Sequence, residues 1–129
     1  MTPPAMLSVL LVEDDAVVRA SMRFALASDT VVIHEAGSVH EAQQVFTATP
    51  TDAAIIDLHL PDGTGYALAT WLCQRRSDIP LIMISTDPDH TPSPLPPRQR
   101  TTMLAKPFSA STVLDALSRV MGAPTGPET

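Results

Sequence analysis

"AAIIDLHLPDGTG", residues 53–65, is the stretch on which the reading of the chain turns. Ala53 to Ile56 form a short, unbroken apolar run, the pattern of a strand buried on both faces. The run ends on a carboxylate, Asp57, and a loop with one proline and two glycines follows. Desolvating an ionised Asp is costly, so a buried strand gains little by ending on one. Such an ending is either a site for chemistry or a plain surface turn. The other strand ends decide between them.

Four more segments read as strands. "LSVLLV" (7–12) is compact, apolar and β-branched, and it runs into "EDD". "VVIHEA" (31–36), "PLIMIS" (80–85) and residues 101–107 complete the set. Amphipathic stretches separate them. Apolar or small residues recur at 18, 21, 22, 25 and 26, with Asp15 placed to cap that helix. Ser38 caps a helix whose inner face is Ala42, Val45 and Phe46. Gly65, Leu68, Ala69, Leu72 and Cys73 mark a third, with Trp71 off its stripe. Ser109 caps the last, with Val113, Leu114, Leu117 and Met121 inward. Strands alternating with helices mean an α/β fold: a doubly wound, five-stranded parallel sheet covered on both faces. Right-handed crossovers then bring every strand's C-terminal end to one edge.

At 129 residues the chain reads as a single domain, with a core over about 7–121 and a frayed tail at 122–129. A net charge of −6 argues against direct nucleic-acid binding by this domain. Cys73 is the single cysteine, so no internal disulfide forms, which fits a reducing cytosol. No signal peptide or membrane span is visible, and a cytoplasmic location is expected. Asp15 and Asp62 read as cap and turn residues, and His34, His40, His59 and His90 lack metal-ligand spacing.

The strand ends deliver Glu13 and Asp14 from the first strand, Asp57 from the third, Ser85 from the fourth and Lys106 from the fifth. Lys106 is the chain's one lysine and precedes Pro107. Two carboxylates about 4 Å apart repel by roughly 4 kcal/mol at an effective dielectric of about 20, so this cluster needs a cation. Oxygen donors at that density favour Mg²⁺.

"LLVEDD", "IIDLHLPDGTG", "LIMIS" and "AKPF", in this order, resemble the receiver domain of bacterial two-component response regulators. The resemblance spans about residues 7–121 and implies the flavodoxin-like receiver fold. It implies that Asp57 accepts a phosphoryl group from a histidine kinase or histidine phosphotransfer protein. Asp14, Asp57 and the backbone carbonyl of His59 would bind Mg²⁺, with Glu13 acting mostly through water. Ser85 and Lys106 would contact phosphoryl oxygens, and the peptide before Pro107 would be cis. The signal would pass to a downstream output protein, or to an output domain outside this sequence. The protein would be a signalling switch with self-catalysed phosphoryl transfer rather than an enzyme. His59 and Asp87, with Thr86, would flank the path of the hydrolytic water.

Two other classes are weighed against this. Haloacid-dehalogenase-like phosphatases also form an aspartyl phosphate, but their D-x-D-x-T spacing is missing from "EDDAVV". A receiver-like interaction module that works without phosphorylation stays open as the alternative. P-loop and dinucleotide readings fail for want of their glycines. The chain departs from the family at Met103, usually aromatic, and at Thr86, usually smaller. Where the family has its fourth helix, residues 87–101 carry Pro88, Pro92, Pro94, Pro96 and Pro97. Interior prolines cost about 3 kcal/mol each, so an extended, polyproline-like or mobile loop is expected there instead of a helix.

Overall fold

A computed structural model of the chain describes residues 7–85, 101–106 and 109–120. The alternating apolar runs become strands β1 (Leu7–Val12), β2 (Val31–Ala36) and β3 (Ala53–Asp57), interleaved with helices α1 (Ala16–Leu26) and α2 (Val39–Ala48). A two-residue pair, β4 (His59–Leu60) and β5 (Gly63–Thr64), leads into α3 (Gly65–Arg75). Then come β6 (Leu81–Ser85), β7 (Thr101–Ala105) and α4 (Ala110–Val120).

The five long strands form one sheet in the order β2-β1-β3-β6-β7, and all four pairings are parallel. The chain steps outward from β1 to the edge strand β2, then crosses back to β3 on the other side of β1. That reversal is the topological switch point where open α/β sheets present a crevice. It also sends the helices to both faces. Val9, Leu11, Ile55, Ile82 and Ile84 pack with α1 and α4 through Met22, Leu26, Val113 and Leu117. The alternate residues Leu10, Val12, Ile56, Leu81 and Met83 pack with α2 and α3 through Ala42, Leu68 and Leu72. Every residue of β3 and β6 is buried, as their continuous apolar runs require.

The helices start where their caps place them. Asp15 accepts from the N–H groups of Val17 and Val18, Ser38 from Glu41, Thr64 from Ala67, and Ser109 Oγ from Thr112 at 3.2 Å. These bonds satisfy amides that a helix's first turn leaves unpaired.

Some expectations need correction. Leu114 is 41% exposed rather than inward. The buried stripe of α4 is Val113, Ala116, Leu117 and Val120, an i, i+3, i+4, i+7 set, and Leu114 lies one step off it. In α1, Met22 and Leu26 are buried, whereas Ser21 and Ala25 face solvent. Cys73 is only half-buried; Trp71, off the stripe as expected, is half-buried as well, edge-on to Phe46 with centroids 5.8 Å apart. The fourth strand starts at Leu81 rather than Pro80, whose ring has no N–H for the ladder. The fifth ends at Ala105, leaving Lys106 just beyond it, and it already includes Thr101. The rest of the proline-rich segment, with Thr86 and Asp87, lies outside the described residues, as do His90, Pro107, Met121 and the tail.

Candidate functional site

Register fixes what meets at the sheet edge. Val12 pairs with Ile56, Asp57 with Ile84, and Ser85 with Ala105. The residues one step further along β1 and β7 are Glu13 and Lys106. Glu13 continues the pairing by donating its N–H to Ala36 O at 3.0 Å, and Lys106 donates its N–H to Ser85 O at 2.8 Å. Glu13, Asp57 and Ser85 are 1%, 5% and 2% exposed. Asp14, next along, is exposed.

Lys106 joins the cluster. Its Nζ donates to Glu13 Oε1 at 2.8 Å and to Asp57 Oδ2 at 2.9 Å, across 93 and 49 residues of sequence. Burial disfavours the ammonium, but the bonds to Glu13 and Asp57 outweigh it and raise the Lys106 pKa. Burial pushes the Glu13 carboxyl above its ordinary value, against the downward pull of Lys106 and of the Asp15 N–H, which lies 3.1 Å from Oε2. Asp57 is held at both oxygens, since Oδ1 accepts the His59 N–H at 2.9 Å. The His59 side chain itself is exposed.

One oxygen from each of Glu13, Asp14 and Asp57 lies within 4.8 Å of the others. Three carboxylates and one ammonium leave two negative charges uncompensated. A hard dication matches both that charge and the all-oxygen donor set, so these residues fit Mg²⁺. The structure thus gathers Glu13, Asp14, Asp57 and Lys106 in one cluster. Ser85 is joined to it through the Lys106 backbone, and His59 through its amide.

Three residues that serve the site escaped the sequence reading. Gly65, read as part of a helix face, has a backbone requirement. A Cβ there would lie 2.4 Å from Asp57 O and 2.9 Å from Leu58 Cα, so only glycine lets α3 start this close to the end of β3. Asp62, read as a turn residue, reaches across to α2, accepting from Val39 N at 2.8 Å and His40 N at 2.9 Å. Arg19 donates from Nη1 to Glu13 O at 2.6 Å. Gly65 carried a signal, a glycine at the loop-to-helix junction. The other two act over distances that local patterns do not report.

A parallel sheet in this order, with acids and a lysine at its switch point, defines a flavodoxin-like receiver fold. The chain belongs to the response regulator receiver domain family, whose model matches residues 9–118. It is therefore a signalling domain of the two-component type. Among curated relatives it is similar to the DNA-binding transcriptional activator DevR/DosR of Mycobacterium tuberculosis. Identity is 37% over 83 residues, 63% of this chain and 38% of that protein. With the KDP operon transcriptional regulatory protein KdpE of Escherichia coli it shares 35% over 80 residues, 62% of this chain and 35% of KdpE. The chain thus spans well under half the length of these relatives. Among solved structures it resembles the chemotaxis protein CheY4 of Vibrio cholerae, with a TM-score of 0.78, 25% identity, and 90% and 99% of the two chains covered. The signal receiver domain of an HD domain-containing protein of Pseudomonas fluorescens Pf-5 gives the same TM-score, 0.78, at 22% identity, covering 95% and 92%. Among the described residues, no helix is long and apolar enough to cross a membrane.

Proposed function

We propose that Asp57 accepts a phosphoryl group from a phosphohistidine on a partner histidine kinase or histidine phosphotransfer protein. The observation that carries this is the Lys106 ammonium bridging two buried carboxylates, 2.9 Å from Asp57 and 2.8 Å from Glu13. A carboxylate oxygen of Asp57 attacks phosphorus while the P–N bond breaks and its electron pair returns to the imidazole. The product is an acyl phosphate on Asp57. Mg²⁺, held by Glu13, Asp14, Asp57 and the His59 carbonyl, would supply positive charge to the phosphoryl oxygens. Lys106 supplies a second positive charge, and the His59 N–H holds the acceptor carboxylate in place. Modification adds about −1.5 to −2 charge at the sheet edge. Lys106 and the Ser85 hydroxyl can then turn to the new oxygens, and that rearrangement is the switch. The modified form acts by changing protein–protein contacts with a downstream output protein or an output domain, in the cytoplasm. The domain processes its own acyl phosphate rather than a diffusible substrate.

A small acyl-phosphate donor with Mg²⁺ should add one phosphoryl group, read by intact mass. Asp57→Asn should add none, and chelating Mg²⁺ should stop labelling of the wild type. Undiminished labelling of Asp57→Asn would move the acceptor elsewhere. A wild type that takes up nothing would leave the interaction module that works without phosphorylation.

A further inference from the structure

The geometry points to Arg19 as a positioning residue that holds the Glu13–Asp14 pair in place for the cation. This rests on the proposed Mg²⁺ site. Glu13 is tied at every polar atom. Its N–H goes to Ala36 O at 3.0 Å, Oε1 takes Lys106 Nζ at 2.8 Å, and Oε2 takes the Asp15 N–H at 3.1 Å. The remaining atom, the carbonyl oxygen, belongs to the peptide that joins Glu13 to Asp14. Arg19 Nη1 holds it at 2.6 Å. That bond sets the plane of this peptide, and so the direction in which both acids leave the chain.

Arg19 is itself aimed. Its Nε donates to Glu35 Oε1 at 3.2 Å, on β2 next to β1, so one guanidinium spans two strands. Gly37 leaves it room, since a Cβ there would lie 3.2 Å from Nη1. The other Glu35 oxygen, Oε2, pairs with Arg23 Nε at 2.8 Å. Arg23 is half exposed, at 50%. Two arginines of α1 therefore share one carboxylate, and of the two only Arg19 continues to the acidic pair. Arg23 is the internal control. It carries the same charge and the same ion-pair partner but does not reach Glu13.

Mg²⁺ titration followed by amide chemical shifts or calorimetry tests this without phosphorylation. Removing a cation near a dication site tightens binding by charge alone. Loss of a positioning group weakens it, and about tenfold is expected for Arg19→Ala. Arg19→Lys can reach only one of the two partners and should fall between, with Arg23→Ala unchanged. If Arg19→Ala fails the circular-dichroism check for folding, Arg19→Lys decides. Unchanged or tighter binding in the Arg19 variants overturns the inference. So does equal weakening in the Arg23 variant, which would mark loss of the ion pair as the cause. A wild type that binds no Mg²⁺ overturns the cation site itself, and that outcome appears before any variant is made.

Discussion

The loops after β1 and β3 both deliver a buried carboxylate to the same sheet edge and share Lys106, but their other supports differ. Glu13, after β1, takes two side chains, Lys106 on its carboxylate and Arg19 on its carbonyl, beside backbone bonds to Ala36 O and from the Asp15 N–H. Asp57, at the end of β3, is mounted on backbone. Leu58 N donates to Ile84 O at 2.9 Å, Gly65 N donates to Leu58 O at 2.9 Å, and the bare Cα of Gly65 packs against Asp57 O. Burial raises the Glu13 pKa. The amides of His40 and Val39 lower that of Asp62, in the second loop. A reacting atom needs a rigid mount. On the proposed function, Lys106, which turns to the new oxygens, needs side-chain freedom.

The largest effect should come from Lys106, the side chain that ties the two loops together. Lys106→Ala leaves Glu13 and Asp57 facing each other, 1% and 5% exposed, without their shared cation. Breaking a buried pair costs about 3–5 kcal/mol. The Lys106 side chain is 23% exposed, so solvent screens part of this and about 3 kcal/mol is expected. Urea unfolding should show that loss, and millimolar Mg²⁺ should restore more stability to the variant than it adds to the wild type. Equal stability without Mg²⁺ would mean that Lys106 does not hold this loop.

The backbone-held loop should answer to steric change instead. Gly65→Ala forces a Cβ into the Asp57 and Leu58 backbone, which cannot turn aside. Overpacking of this kind costs about 2 kcal/mol. If Asp57 is the acceptor as proposed, its phosphorylation should slow as well, because its carboxylate is displaced. Gly37→Ala is the matching case in the other region. Its Cβ would meet only the tip of the Arg19 side chain at 3.2 Å, which can shift slightly and keep its bonds, and a change within about 0.5 kcal/mol is expected. Similar losses in both variants, measured in the same urea series, would erase the distinction between the two mounts.

The same distinction explains what the sequence could disclose. β3 and β6 were legible because burial on both faces leaves an unbroken apolar run. Ser38 and Asp15 were legible because a cap acts within three residues of itself. The acids and Lys106 were legible because parallel topology puts all strand ends on one edge. Leu114 misled because an apolar residue one step off a helical stripe adds to its hydrophobicity without sharing its direction. Arg19 to Glu35 and Asp62 to α2 bridge 16 and 22–23 residues. No local pattern marks such a partner, so Asp62 read only as a turn residue.

A smaller loss than that of Gly65→Ala belongs to Asp62, and pH separates it from the others. Its two oxygens accept the Val39 and His40 amides, so folding favours its ionised form and its pKa is lowered. An unfolded aspartate titrates near about 3.9. A carboxyl with a depressed folded-state pKa adds stability that is fully present above the unfolded value and is lost as pH falls through the folded one. Asp62→Ala should therefore be less stable than wild type at pH 7, by less than Gly65→Ala, and the gap should narrow as pH drops below about 4. Added salt should narrow it at neutral pH too, because the residue is exposed. Thermal unfolding across that pH range, wild type against variant, measures both trends. A gap constant down to the acid limit would mean that the side chain supports the loop by its shape. A gap that closes would assign the anchoring of this loop on α2 to the charge on Asp62.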